Sequence, residues 1–395
     1  MPISKKRLKI LLYGNLYGAY RSENLIKYLL DSGYRLSFIF PEFYFERGIK
    51  KDLISKILRI VFSAYYWVEL FIKAALADVI YLLPMNVELI RSALWAARLF
   101  NAKLVVEVYA SLYDTAVKDK QTVPVNSPEA ARLKQKDTLA LTQADYIIDI
   151  ADYELRYWQD MLGIQINFDK CFIAPLFSEI TESSASSSTA LGSGGFKSAD
   201  AISICWWGTF IPLHGLDNII QAMQLLKDWG MAYRCYLFGV PPTGQQQVFE
   251  DYRQKIERSH LSDRVFLRQD LRFLDGSLPH FLHEHCDLAL GIFGDTDKAR
   301  AAVPNKLVEA LTLGLPTLTM DSPALREFFD PEDLWTCEPT GESIANAIAT
   351  LVKGNAYPVD WFQTQKKVRE TFNVQRYQTV IAQVMARIEK DFQSQ

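Results

Sequence analysis

A lysine stands where a helix disfavours a cation. In VPNKLVEALTLGLPTLT (303–319), a short helical pattern runs between Pro304 and Gly314, with Leu307, Val308 and Leu311 as its apolar stripe. Asn305 is a good N-cap by residue type. Lys306 then falls in the first turn, where the helix dipole opposes it by ~0.3–1 kcal/mol. Glu309 follows three residues later, about 60° around the helix from it and away from the stripe. A capping box does not explain Glu309, because it needs a carboxylate at position 308, which is Val. Two readings stay open. One is a solvated i,i+3 ion pair. The other is an anion site, with Lys306, helped by Lys298 or Arg300 from the loop 294–304, meeting phosphate. Glu309 would then accept from sugar or ribose hydroxyls.

Three further clusters carry candidate chemistry. In GTFIPLHGLDNIIQAMQLL (208–226) a strand ends at Gly208, a short loop holds Thr209 and His214, and Gly215 opens a helix. The free N–H groups of that helix's first turn are ready for an anion. In YGNLYGAYRSEN (13–24), Gly14 and Gly18 allow a sharp turn after a strand. Arg21 either meets an anionic acceptor or is a surface arginine. The spacing of these glycines is not the GxGxxG of dinucleotide binders. Glu107 and Tyr109, at the end of AKLVVEVY (102–109), could serve an acceptor, with Glu107 as base or as a solvated carboxylate. His280, His283, His285 and Cys286 in LPHFLHEHCDLAL match neither HExxH nor a CxxC zinc pattern, so no metal site is assigned.

The elements that position these residues alternate. KILLYG (9–14), YRLSFIF (34–40), VIYLLP (79–84), AKLVVEVY, DYIIDI (145–150) and KCFIAPL (170–176) read as strands separated by helical patterns. After the Ser/Gly-rich stretch 181–200 the alternation restarts with AISICWW (201–207), YRCYLFG (233–239), DRVFLR (263–268), CDLALGIF (286–293) and PTLTM (316–320). Such alternation implies parallel strands with crossover helices, and 395 residues imply two domains. We expect an N-terminal Rossmann-like domain over 1–177, a linker or loop at 178–200, a second Rossmann-like domain over 201–373, and a long C-terminal helix over 374–395 that packs back on the first domain.

Composition excludes several classes. The chain carries 43 Lys and Arg against 46 Asp and Glu, which argues against a nucleic-acid binder. Five scattered cysteines without CxxC point to a reduced, cytoplasmic compartment. The N-terminal apolar run stops at Gly14, too short for a signal-peptide core. The most hydrophobic stretch, 53–83, lacks the ~18 uncharged apolar residues of a membrane span. Ile57, Ile60, Val61, Ala64, Trp67, Val68 and Phe71 follow helical spacing there, among Lys50, Lys51, Lys56, Arg59 and Lys73. One reading is an amphipathic helix facing the core. The other lays residues 50–75 on an anionic surface as a peripheral contact, at the inner face of the plasma membrane.

WWGTFIPLHGLDNIIQAMQLLK, YLFG and PNKLVEALTLGLPTLT followed by DSPALREFF together resemble family-four retaining (group 1) glycosyltransferases of the GT-B fold, in the branch whose donor helix opens with Pro-Asn/Ser-Lys. The resemblance implies an α/β fold of two doubly wound parallel-sheet domains facing each other across a cleft. It implies transfer from a UDP- or GDP-linked sugar to a glycan, lipid-linked or other cell-surface polysaccharide acceptor, with neither metal nor cofactor. On it, Lys306, Glu309 and Arg300 are the catalytic set. Gly208, Thr209, His214, Gly215, Gly239, Lys298 and Asn305 join Lys306 and Glu309 in holding the donor. Gly14, Gly18, Arg21, Glu107 and Tyr109 face the acceptor. The chain departs from the family at Ala301, where a second glutamate is common, at Thr209 and His214, where arginine and lysine are common, and near Tyr109, where histidine is frequent. An epimerase on the same fold and an inactive sugar-nucleotide-binding scaffold are the alternatives.

Overall fold

The computed structural model describes residues 8–16, 20–42, 53–178, 201–241, 245–273 and 275–394, with the backbone alone over 53–60. Gly18, Lys50, Lys51 and nearly all of the segment 178–200 lie outside these residues, as do the side chains of Ile57, Ile60, Lys56 and Arg59. The chain forms two compact units. The first comprises Met1–Ile150, Leu155–Pro175 and Val374–Gln395, the second Ala151–Glu154 and Leu176–Asn373.

In chain order the first unit holds β1 (Lys9–Tyr13), α1 (Tyr20–Asp31), β2 (Arg35–Ile39), α2 (Leu53–Ala75), β3 (Val79–Leu82), α3 (Ile90–Phe100), β4 (Lys103–Glu107), α4 (Pro128–Gln143), β5 (Tyr146–Asp149), most of α5 (Asp152–Leu162), and β6 (Cys171–Ile173). Its six strands are all parallel, in the order β2-β1-β3-β4-β5-β6. Every residue of β3 and of β5 is buried, as strands covered on both faces must be, and so they read as unbroken apolar runs. The second unit continues with β7 (Ile202–Thr209), α6 (Leu216–Asp228), β8 (Tyr233–Val240), α7 (Gln246–Arg258), β9 (Val265–Arg268), α8 (Ser277–His285), β10 (Leu288–Leu290), α9 (Asp297–Ala301), α10 (Asn305–Thr312), β11 (Thr317–Met320), α11 (Pro323–Arg326), β12 (Trp335–Cys337), α12 (Gly341–Val352) and α13 (Trp361–Thr371). Its parallel sheet has the order β12-β11-β10-β7-β8-β9. The strand order reverses between β7 and β10, which makes their carboxyl ends the place where such sheets bind ligands. The last helix, α14 (Val374–Gln393), buries Tyr377, Val380, Ile381, Val384, Met385 and Ile388 at helical spacing and is part of the first unit.

Three expectations need correction. The helix over 53–75 forms, but its buried positions are Tyr66, Leu70 and Ala74. Val61, Ala64, Trp67, Val68 and Phe71 are exposed, which excludes the core-facing one of the two readings of that stripe. Arg21 is not a surface arginine. It is 1% exposed and its Nε pairs with Glu107, while Nη1 donates to the carbonyl of Pro175 (3.1 Å) and Nη2 to that of Ala174 (2.8 Å). Glu107 is therefore not a solvent-facing base: its second oxygen accepts from Tyr81 (2.5 Å) and from Tyr377 of α14 (3.1 Å). Tyr109 lies just beyond in a left-handed conformation (φ 61°), its ring 5.9 Å from the Arg21 guanidinium. Gly14 gives its N–H to Ile39 (3.1 Å). The five acceptor-side positions thus reduce to a buried brace of Arg21 and Glu107 with Tyr109 beside it, Gly14 against Asn86, and Gly18 undescribed.

Asp149 is buried at the end of β5, and neither of its oxygens makes a hydrogen bond of ordinary geometry. Burial pushes its pKa up to about 8, against the opposing pull of the Ile150 and Tyr109 N–H groups and of Arg21.

Two outcomes are expected. Arg21→Met strands the Glu107 carboxylate and should cost about 3–5 kcal/mol in urea unfolding, while Arg21→Met combined with Glu107→Leu should recover most of that loss. Between an unfolded pKa of 3.8 and a folded one of about 8, Asp149 holds a proton in the folded chain only, so its contribution to stability falls as pH rises through that window. Asp149→Asn should flatten the fall of the thermal midpoint over this range; an unchanged slope would show that Asp149 does not titrate there.

Candidate functional site

The cluster at the β7–β10 switch point grows from the sequence of β7. Trp206 and Trp207 are consecutive on the strand and so point to opposite faces of the sheet. Trp206 is fully buried. Its ring lies 6.0 Å from Phe210 in a stacked pair and 5.7 Å from His214 edge-on. The Lys306 ammonium sits 4.0 Å from the centroid of the same indole. Gly208 makes room for it: at φ 144°, a Cβ there would fall 2.9 Å from Lys306 Nζ and 3.2 Å from His214 Cε1. Gly215 (φ 64°) is the N-cap of α6 and offers no side-chain cap. A Cβ on Gly215 would lie 2.1 Å from the Phe293 carbonyl, so only glycine lets the two loops meet. Asn218 fastens that junction by donating to the carbonyls of Phe293 (2.9 Å) and Pro339 (2.6 Å).

The polar groups here are fixed by their neighbours. His214 Nδ1 lies 2.5 Å from the Thr209 carbonyl. A carbonyl only accepts, so Nδ1 carries the proton, and in the neutral ring Nε2 keeps its lone pair. Burial first, and the charge of Lys306 second, pull the His214 pKa well below its usual value. Glu309 Oε2 accepts from Trp207 Nε1 at 2.7 Å, and burial raises its pKa. Lys306 Nζ has no hydrogen-bond partner among the described residues. Burial pulls its pKa well below 10.5, with only Glu309 acting the other way. A desolvated ammonium resting on an indole face, with no anion hydrogen-bonded to it, is held at a cost that an incoming anion relieves. The α10 N-terminus adds free N–H groups that no side chain caps.

Lys306 is thus buried, not solvated, and makes no surface ion pair with Glu309. The N-cap of α10 is Pro304, and Asn305 is its first helical residue. Residues 297–301, expected as loop, form α9, capped by Thr296 through Ala299 N–H at 3.1 Å. Arg300 on it holds Asp295 at 2.8 Å, and Lys298 is half-buried. Ala301 is buried. Gly239 leaves space for the Phe210 ring, 1.9 Å from where its Cβ would be, so it serves the site through packing. The structure brings together Lys306, Gly208, Thr209, His214 and Gly215, with Glu309 on the next turn of α10. Trp206, Trp207 and Asn218 were missed; the doubled tryptophan at the end of a central strand was the available signal. His283 sits on Glu284 (3.0 Å) and His285 against the Phe281 ring (4.7 Å), and Cys286 is buried in the core.

Residues 196–368, which span most of the second unit, match the family model described as glycosyl transferases group 1. Solved structures match nearly the whole chain at low identity. Anabaena Alr3699/HepE in complex with UDP and glucose shares 14% identity over 96% of this chain and 100% of its own, with a TM-score of 0.66. Sucrose-phosphate synthase from Thermosynechococcus elongatus shares 13% over 97% and 99%, with a TM-score of 0.64. The lipopolysaccharide outer core galactosyltransferase WaaB shares 11% over 96% and 99%, with a TM-score of 0.63. No curated protein matches the sequence significantly. The fold is GT-B, two Rossmann-like parallel-sheet domains in one chain.

Lys306 gives the site a stability signature. Between its depressed folded pKa and 10.5 the unfolded chain binds the extra proton, so Lys306 makes stability rise with pH across that interval. Lys306→Met should raise the thermal midpoint of the ligand-free protein at neutral pH and remove that part of the slope; a midpoint below that of the parent would mean that the ammonium is already satisfied.

Proposed function

We propose that the protein is a retaining glycosyltransferase that takes a sugar from a nucleoside-diphosphate donor, UDP- or GDP-linked, and passes it to a glycan or lipid-linked acceptor. The observation that carries this reading is the buried Lys306 ammonium without an anionic partner, set at the switch point of the domain that matches the group 1 model. The structural relatives that hold UDP, or UDP with glucose, support a nucleotide-sugar donor.

In this reading Lys306 meets the diphosphate. The uncapped N-termini of α6 and α10 add N–H donors, and the dipole that disfavoured Lys306 favours its ligand. When the bond between the anomeric carbon and the phosphate oxygen breaks, negative charge grows on the leaving diphosphate. Donors already in place around that oxygen stabilise the transition state without reorganising. A phosphate beside Lys306 raises its pKa back towards the ordinary lysine value, against the pull of burial. Glu309, steadied by Trp207, accepts from the ribose hydroxyls. His214, neutral with Nδ1–H on Thr209, offers Nε2 to the sugar or phosphate side. The cationic side chain and the helix N-termini take the role of a divalent ion, so transfer proceeds without one.

Lys306→Ala and Glu309→Ala should each weaken nucleoside-diphosphate binding in calorimetry by roughly 10- to 100-fold, the worth of a charge-assisted hydrogen bond, with unchanged circular dichroism. Parent-like affinity in both variants would show the site to be misassigned. Incubation with a panel of nucleotide sugars and glycan acceptors should release nucleoside diphosphate equally with and without a chelator. Sugar interconversion without an acceptor would point instead to an epimerase, and binding without release to an inactive scaffold.

A further inference from the structure

The outward face of α2 inverts the usual surface pattern. From Val61 to Leu76, every exposed position is uncharged. Val61, Tyr65, Val68, Ile72 and Leu76 form one line, each about half exposed, over roughly 22 Å of helix. The two charged residues of this stretch are turned away from it. Glu69 and Lys73 pair on the half-buried side, and Lys73 Nζ donates to the Phe38 carbonyl at 2.7 Å. The face widens onto α3 through edge-on aromatic pairs, Trp67 with Trp95 (6.0 Å) and Phe71 with Phe100 (4.9 Å). A continuous apolar patch of this extent marks an interaction site.

Its margin says what covers it. Arg91 and Arg98 flank Trp95 one turn away on either side, and both are exposed. Their hydrogen-bond partners are the neutral amides of Gln135 and Gln143, whereas Arg132, Arg253, Arg268 and Arg300 each hold a carboxylate. Arg91 and Arg98 therefore put positive charge on the rim of the patch that no carboxylate among the described residues pairs with. Trp67, Trp95 and Tyr65 are the residue types that favour the boundary between hydrocarbon and headgroups. A second copy on a two-fold axis would set these cations against an uncharged face with no acid to meet them. No described helix is long and apolar enough to cross a membrane. We infer that α2 and α3 dock the first unit on an anionic lipid surface, with the α2 face among the outer acyl carbons and Arg91 and Arg98 at lipid phosphates.

Flotation of the full chain with phosphatidylcholine vesicles, with and without phosphatidylglycerol, tests this. The parent should float with the anionic vesicles and be released by salt. Val68→Glu and Ile72→Glu should each reduce partitioning about tenfold or more. Arg91→Ala and Arg98→Ala should each reduce it about fivefold on anionic vesicles alone. Unchanged nucleoside-diphosphate affinity and circular dichroism in these variants report an intact fold. No flotation of the parent on either vesicle would overturn the inference, as would equal flotation of parent and variants. A parent dimer that Val68→Glu turns into monomer, without lipid binding, would assign the face to a second copy instead.

Discussion

A charge taken out of water has to be answered, and the two units of this chain treat that constraint in opposite ways. In the first, each of the three Arg21 guanidinium nitrogens has a partner, Glu107 or one of two backbone carbonyls, and the face of Tyr377 lies 4.4 Å away. In the second, the Lys306 ammonium has an indole beneath it and no hydrogen-bond partner among the described residues, with Glu309 acting on it only through space. The completed set makes a rigid core brace. The incomplete one leaves a desolvation cost that an anion placed beside it would relieve.

The surroundings of Lys306 follow from that difference. An ammonium can be held over Trp206 only if the strand beside it has no side chain at Gly208 and the helix opposite begins at Gly215 without a capping side chain. His214 is kept neutral by burial and by the charge of Lys306, and its Nδ1–H donates to the Thr209 carbonyl, which fixes the tautomer. A group that adds no second cation can therefore stand next to Lys306. Phe210 fills the space left by Gly239 and stacks on Trp206, which helps to hold the indole in place. Electrostatic tension is kept by ordinary packing.

Much of this was legible in the sequence, for reasons specific to each element. Strands buried on both faces read as apolar runs, and the alternation with helices announced two parallel sheets. Lys306 and Glu309 stood out because they break the local rules of a helix N-terminus. What the sequence hid was side-chain environment. Periodicity assigns residues to faces but does not say which face turns inward, so the stripe through Val61, Val68 and Phe71 read as either a core face or a surface face, whereas Tyr66, Leu70 and Ala74 are the buried positions. Arg21 and Glu107 are 86 residues apart, and nothing local announces that they meet. Trp206 and Trp207 passed as strand residues, although an indole N–H at a sheet's carboxyl end often needs a partner, which Trp207 finds in Glu309.

The last helix has a bearing on how the protein comes into being. Val374–Gln393 completes the first unit, yet the ribosome makes it only after the whole of Leu176–Asn373. The second unit is contiguous but for Ala151–Glu154 and can collapse while translation continues. The first must wait, with the apolar bed of Tyr377, Ile381 and Met385 open and Glu107 lacking one of its hydroxyl donors. Newly made chains therefore pass through a stage in which one half is finished and the other is a template awaiting its final piece, and a premature stop near residue 373 would damage the half that was synthesised first.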